Sequence, residues 1–130
     1  MNDFFECRLD SYTWSVVTAT GYVPSPRYFH ACAMYANCMY VFGGYNGTER
    51  LNDMYEYSFD TLRWSTIETQ GELPSGRSSL VAQVYGNSLF IFGGYNGQGT
   101  RRLLGLSILL TLCEFISLGL CVCAPQIQSC

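Results

Sequence analysis

One eight-residue stretch constrains this chain more than any other feature. Tyr40-Val-Phe-Gly-Gly-Tyr-Asn-Gly47 returns as Phe90-Ile-Phe-Gly-Gly-Tyr-Asn-Gly97, fifty residues later. Three aromatic or β-branched residues run into a glycine pair, and a polar turn follows. Such a run reads as a buried strand ending where two backbones approach closely, because glycine has no side chain to hold them apart. The Asn-Gly beyond it suits a loop that needs left-handed backbone angles.

The offset of fifty holds without a gap back to the first residue. Met1-Asn-Asp-Phe-Phe-Glu aligns with Leu51-Asn-Asp-Met-Tyr-Glu, Trp14-Ser15 with Trp64-Ser65, Pro24-Ser25 with Pro74-Ser75, and Arg27 with Arg77. Residues 1–50 and 51–100 therefore read as two copies of one unit. At position 101 the next Leu-Asn-Asp is due, but Arg101-Arg-Leu-Leu stands there, so residues 101–130 are something else.

Each unit reads as four short strands. The first copy gives 3–7, 13–18, 30–35 and 39–43, and the second gives 53–58, 63–68, 79–85 and 89–93. All are rich in aromatic or β-branched residues and bounded by turn residues. Tyr35-Ala-Asn-Cys38 and Tyr85-Gly-Asn-Ser88 are predicted as tight hairpins, and Asp60-Thr-Leu-Arg63 as a further turn. Gly21…Pro24-Ser-Pro26 and Gly71…Pro74-Ser-Gly76 read as longer loops. No helix is predicted before residue 100.

The cysteines test the hairpin register. If Tyr35 and Cys38 flank a two-residue turn, Cys32 sits opposite Val41 and Cys38 points to the other face. A Cys32–Cys38 bridge is then excluded. Seven cysteines without a pairing or zinc spacing fit free thiols in a reducing compartment. Residues 1–15 carry Asp3, Glu6, Arg8 and Asp10 where a secretory signal needs an apolar core, so a cytoplasmic location is expected.

Short strands, frequent turns and a period near fifty are the marks of a β-propeller. The residues Met39-Tyr-Val-Phe42, Gly43-Gly44, Tyr57 and Trp64 resemble the kelch repeat: four apolar strand residues, a glycine pair, a tyrosine, then a tryptophan after six intervening residues. Trp14, Gly93 and Gly94 are the matching positions of the neighbouring copies, and Cys7 departs from the pattern where Tyr57 stands in the second unit. The loop pattern Gly-x-x-Pro-x-x-Arg, at 21–27 and 71–77, is similar to leucine-zipper-like regulators and host-cell-factor-type kelch proteins.

The resemblance implies an all-β, partial kelch propeller. One complete blade (30–35, 39–43, 53–58, 63–68) lies between the last two strands of a preceding blade and the first two of a following one. Propellers close with about four to eight blades, and repeat arrays need about three units for stability. The chain is thus expected to be a fragment or truncated form of a longer kelch protein. Its open blade faces would be met by missing blades or by self-association.

The tail differs in kind. Leu103–Ala124 has one charge, Glu114, in twenty-two residues. As a helix at ~1.5 Å per residue it would cross a bilayer core. Its twelve Leu, Ile, Val and Phe favour insertion by about 4–7 kcal/mol, against a cost of about 3 for the acid. Three readings are open: a spliced replacement for a third unit, a tail anchor on the cytoplasmic face of an internal membrane, and a docked core helix. The tail is expected to be helical or disordered.

The chemistry-bearing residues exclude more than they propose. His30 is the single histidine, so a kelch copper site of the galactose-oxidase type, which needs more than one, cannot be built. It reads instead as a partly buried residue at a strand start. No Ser, His and acid constellation and no phosphate loop is present, so neither catalysis nor a cofactor is expected. Residues 1–100 hold nine acids against five Arg and no Lys, poor material for gripping a phosphate backbone.

What remains is binding. In propellers of this family partners dock on loops between strands, which correspond here to 21–29, 45–50, 71–78 and 95–100. Those loops supply the candidates Tyr22, Arg27, Tyr28, Phe29, Tyr45, Asn46, Arg50, Arg77, Tyr95 and Asn96, since aromatic and arginine side chains anchor protein interfaces. Two readings of Arg27 and Arg77 stand: they reach toward an acidic partner, or they tie down loop carbonyls. Tyr45 and Tyr95 either face a partner or cover the glycine pairs. The resemblance implies a non-catalytic protein-binding platform. In a longer form it would be a substrate receptor for a cullin-type ubiquitin ligase.

Overall fold

The computed structural model describes residues 2–98. Every regular element among them is a strand: β1 Phe5–Arg8, β2 Thr13–Val16, β3 Thr20–Gly21, β4 Ala31–Tyr35, β5 Cys38–Tyr45, β6 Arg50–Ser58, β7 Arg63–Thr66, β8 Ser78–Tyr85 and β9 Ser88–Tyr95. The tail readings for Leu103–Ala124 lie outside the described residues. Among the described residues no helix is long and apolar enough to cross a membrane.

The strands β4, β5, β6 and β7 form one antiparallel meander, the complete blade. The pairs β1–β2 and β8–β9 are separate two-stranded sheets to either side. This is the partial propeller anticipated from the sequence. The β4–β5 hairpin has the anticipated register, with Tyr35 opposite Cys38 and Cys32 opposite Val41. Ala36 and Asn37 both take positive φ, as a two-residue turn of this hand requires. Among the described residues Cys7 and Cys38 are free thiols.

The unbroken apolar run of β5 has a simple cause: the strand is buried on both faces. Val41 packs with Tyr57 and Trp64 on one side, joined by Phe4 and Val17 of the preceding half blade. Its neighbour Phe42 points the other way and packs with Ala31 and with Leu80 of the following half blade. One strand therefore serves both interfaces between blades. Tyr57, 1 % exposed, is the most enclosed side chain, and Phe4 meets it edge-on at 4.8 Å between ring centres.

The glycine pair does what its sequence implies. Gly43 has φ +65°, and a Cβ there would stand 2.7 Å from the carbonyl oxygen of Arg77. The Gly44 N–H donates to that same oxygen at 2.9 Å, and the Arg77 N–H donates to the Leu51 carbonyl at 3.0 Å. The loop ahead of β8 is thus fastened directly to β5 and β6, with no room for a side chain between.

The structure corrects the sequence reading in several places. Thr20–Gly21, expected within a loop, forms β3 and pairs in parallel with β7. The strands β5 and β6 extend to Tyr45 and Arg50, so the loop between them shrinks to 46–49. Trp14, expected as core architecture like Trp64, is 69 % exposed against 6 % for Trp64. Trp64 lies under strands of its own blade and the Phe4 segment. Trp14 lies on β2, whose sheet among the described residues is only two strands wide.

Candidate functional site

The loop arginines separate at once. Arg27 is turned inward, its side chain 3 % exposed. Its Nε donates to the Ser25 carbonyl and its Nη1 to the Gly43 carbonyl, at 3.1 and 3.0 Å. Nη1 and Nη2 also grip the Asp53 carboxylate at 2.6 and 2.9 Å. The guanidinium carbon lies 5.1 Å from the Tyr55 ring centre. Of the two readings for Arg27, this geometry is the tie on loop carbonyls, because every face of the fork is occupied. Burial raises the Asp53 carboxyl, but the hydrogen bonds and charge of Arg27 outweigh it, and the net shift is downward.

The sequence showed Asp53 only as a letter in a repeated Asn-Asp. Its role was missed because twenty-six residues separate it from Arg27. Tyr40 and Glu56 form a second unanticipated pair: the phenol donates to Oε2 at 2.6 Å across β5 and β6. That bond, then burial and the carboxylate charge, push the Tyr40 hydroxyl up to about 12. Both pairs consolidate the sheet. The His30 ring, just ahead of β4, is shifted downward by burial and by the Arg27 charge.

A group of the predicted residues does come together where β5 and β9 end and β6 begins. Tyr28 and Tyr45 exchange both backbone hydrogen bonds, at 3.0 and 2.9 Å. Their rings meet edge-on at 5.3 Å, and Phe29 stacks edge-on against Tyr28 at 5.1 Å. Arg50, the first residue of β6, lays its guanidinium between two tyrosines, 5.1 Å from the Tyr45 ring centre and 4.2 Å from that of Tyr95. Its Nε is buried without a hydrogen-bond partner among the described residues. Cation–π contact with two rings holds the guanidinium in place.

The remaining candidates fall elsewhere or inward. Asn46 accepts from the Thr48 and Glu49 N–H groups at 2.9 and 2.8 Å, closing its own turn. Asn96 follows β9 in an exposed loop. The Tyr22 N–H donates to the Trp64 carbonyl on β7. Trp64 is level with Tyr57 and Met39, six residues along β5 from Tyr45, so Tyr22 lies about 20 Å from the aromatic group at ~3.3 Å per residue. A groove of about 310 Å³ beside Phe4, Val17, Tyr57 and Leu62 is mostly apolar, with Glu6 and Thr18 among its lining residues.

A four-stranded meander, blades packed through both faces of β5, and a glycine pair under the next loop define a propeller of the kelch class. Comparison with known proteins agrees: the chain matches the KLHDC2/KLHL20/DRC7 Kelch-repeats domain over residues 1–111, and it belongs to the kelch-repeat family. It is also 40 % identical over 50 residues to the leucine-zipper-like transcriptional regulator 1 homolog of Drosophila melanogaster. That stretch is 38 % of this chain and 5 % of the relative, so the chain spans a small part of that protein's length. Kelch repeats serve in general as protein-interaction domains without enzymatic activity.

Proposed function

We propose that this chain is a protein-binding kelch module whose partner face is the group Tyr28, Phe29, Tyr45, Arg50 and Tyr95. The observation behind it is the arrangement of Arg50: a planar cation held over two tyrosine rings, with one buried donor unmet among the described residues. Rigid aromatic and arginine side chains of this kind anchor interfaces at low entropic cost. Residues 1–100 act as two kelch units of fifty, with residues 101–130 a separate segment. The module works in the cytoplasm, and in a longer form it is the substrate-recognition part of a cullin-type ubiquitin ligase.

Two measurements test this. Proximity labelling with the full chain should give a set of neighbours that Arg50→Glu and Tyr95→Ala both lose, while Tyr22→Ala, on the distant edge, keeps it. Equal loss in all three sinks the assignment of the face. For the ligase role, a full-length read of the transcript should continue past Thr100 into another Leu-Asn-Asp strand, and the encoded protein should co-purify with a cullin.

A second reading rests on Leu103–Ala124, long and apolar enough to anchor the chain. Alkaline extraction that leaves the chain in the soluble fraction would remove it.

A further inference from the structure

Arg27 and Arg77 occupy the same place in successive units, and Arg77 repeats every hydrogen bond of Arg27, including that of Nη2 to Ser25 Oγ at 3.0 Å, except the two to a carboxylate. Arg77 Nε donates to the Ser75 carbonyl at 3.0 Å and Nη2 to Ser75 Oγ at 3.2 Å. Its Nη1 donates to the Gly93 carbonyl at 3.0 Å, as Arg27 Nη1 does to that of Gly43. The missing contact is the carboxylate. Fifty residues beyond Asp53 the sequence has Leu103, and among the described residues no acid meets Arg77. The fork is held in the geometry that grips Asp53 in the preceding blade, without a carboxylate acceptor among the described residues.

The strand beside it is incomplete in the same sense. Among the described residues β9 pairs only with β8. Phe92 is 57 % exposed, whereas its counterpart Phe42, with β6 alongside, is 4 % exposed. What β9 lacks is what β6 gives β5: an antiparallel strand with Asp two residues ahead of its first packed aromatic.

Such a segment exists at the other end of the described chain. Asn2-Asp3-Phe4-Phe5 aligns with Asn52-Asp53-Met54-Tyr55, and it already has the same local ties. The Asn2 side chain donates to the Pro24 carbonyl at 2.9 Å, as that of Asn52 does to Pro74 at 3.4 Å. The Phe4 carbonyl accepts from Val17 at 2.8 Å, as the Met54 carbonyl does from Ile67 at 2.9 Å. Asp3 is exposed and makes no hydrogen bond or ion pair among the described residues. The strand it leads into, β1, pairs only with β2 there.

We propose that the Asn2–Arg8 segment of one copy adds to β9 of a second copy, seating Asp3 on Arg77. The sheet so formed, β8–β9–β1–β2, repeats the order β4–β5–β6–β7. Shifting the observed pairs Phe42–Met54 and Val41–Tyr55 by fifty sets the register: Phe92 opposite Phe4, and Ile91 opposite Phe5. Edge-strand addition supplies the backbone bonds, and the Arg–Asp fork fixes the register. The contact joins two different surfaces, so it closes into a ring where the rotation between copies permits and otherwise continues as an open chain.

Charge reversal on the purified full chain tests this. Sedimentation velocity over a concentration series should show association in the wild type. Asp3→Arg alone and Arg77→Asp alone should each weaken it at least about tenfold, the scale of a lost close charge pair. An equimolar mixture should regain it, since at every contact between unlike copies an arginine then faces an aspartate. Asp3→Asn, at an exposed position without a bond to any other described residue, should weaken association by itself with the near-ultraviolet dichroism unchanged. A monomeric wild type, association unaffected by Asp3→Asn, or a mixture of two folded reversals that stays apart would each overturn the proposal.

Discussion

Arg27 and Asp53 meet in a two-point ion pair, 2.6 and 2.9 Å long, that ties the loop before β4 to the strand two places further across the sheet. The planar fork of arginine matches a carboxylate at two points, which a lysine cannot do. Because the Arg27 side chain is 3 % exposed, removing its partner strands a charge away from water.

Asp53→Asn is therefore expected to destabilise the fold by about 2–4 kcal/mol, near the range for breaking a buried pair. Arg77→Gln, with no carboxylate to lose among the described residues, should cost under about 1 kcal/mol. Urea unfolding of the two variants beside the wild type measures both. Equal losses would show that the carbonyl contacts, not the ion pair, carry the energy.

The same pair sets a pH dependence. The folded-state pKa of Asp53 lies below the ordinary value for an aspartate. A depressed carboxylate contributes stability that is fully present above its unfolded pKa and is lost as pH falls through the folded one. The stability gap between wild type and Asp53→Asn should be flat above about pH 5 and should close below about pH 4. Unfolding midpoints from about pH 3 to 7, which bracket that range, check this; a gap that persists unchanged at the acid end counts against it.

The two glycine pairs should respond unequally. Gly43→Ala combines φ +65° with a Cβ 2.7 Å from a fixed carbonyl, whereas at Gly93, φ +72°, a Cβ meets nothing within 4 Å. Left-handed strain alone costs about 1 kcal/mol, so Gly93→Ala should lose roughly that much. Gly43→Ala should lose about 3 kcal/mol or more, adding displaced backbone to the strain. Thermal melts of both variants, at one concentration, read the difference.

The tryptophans give an optical test of the partial propeller. Trp64 is enclosed and Trp14 open to water. Trp14→Phe should leave a blue-shifted emission that acrylamide barely quenches, and Trp64→Phe a red-shifted one that it quenches strongly. Trp64→Ala should also destabilise by about 3–5 kcal/mol, against under about 1 for Trp14→Ala. At concentrations where copies join through β9, the Trp14 signal should move toward the blue.

Much of this architecture was legible because it is local. The close backbone approach was written in Gly43-Gly44, and the hairpin register in the two residues between Tyr35 and Cys38. What the sequence hid depends on distant neighbours. The inward turn of Arg27 needs Asp53, and the exposure of Trp14 follows from a sheet only two strands wide, though its letter matches that of Trp64. The short β3 exists because the loop at Thr20 runs alongside β7, a tertiary fact with no local signal. Of the partner-face candidates, Tyr28, Phe29, Tyr45, Arg50 and Tyr95 share one place, while Tyr22 does not. Periodicity places a residue on a strand, but only the packed sheet says which end of the blade it occupies.

The repeat in the sequence and the blade in space are out of phase. β5 belongs to the first fifty residues and β6 to the second, yet they pair along their length from Tyr45–Arg50 to Cys38–Ser58. A boundary between sequence units therefore runs through the middle of a sheet. Loss or gain of fifty residues at such a boundary rejoins two leading strands to two trailing strands in unchanged register. A shift of the strand by an odd number of residues would throw Asp53-like carboxylates off their arginines and reverse which side chains face each neighbour. Array length in such a chain is quantised, and each genetic junction is hydrogen-bonded into both of the units it joins.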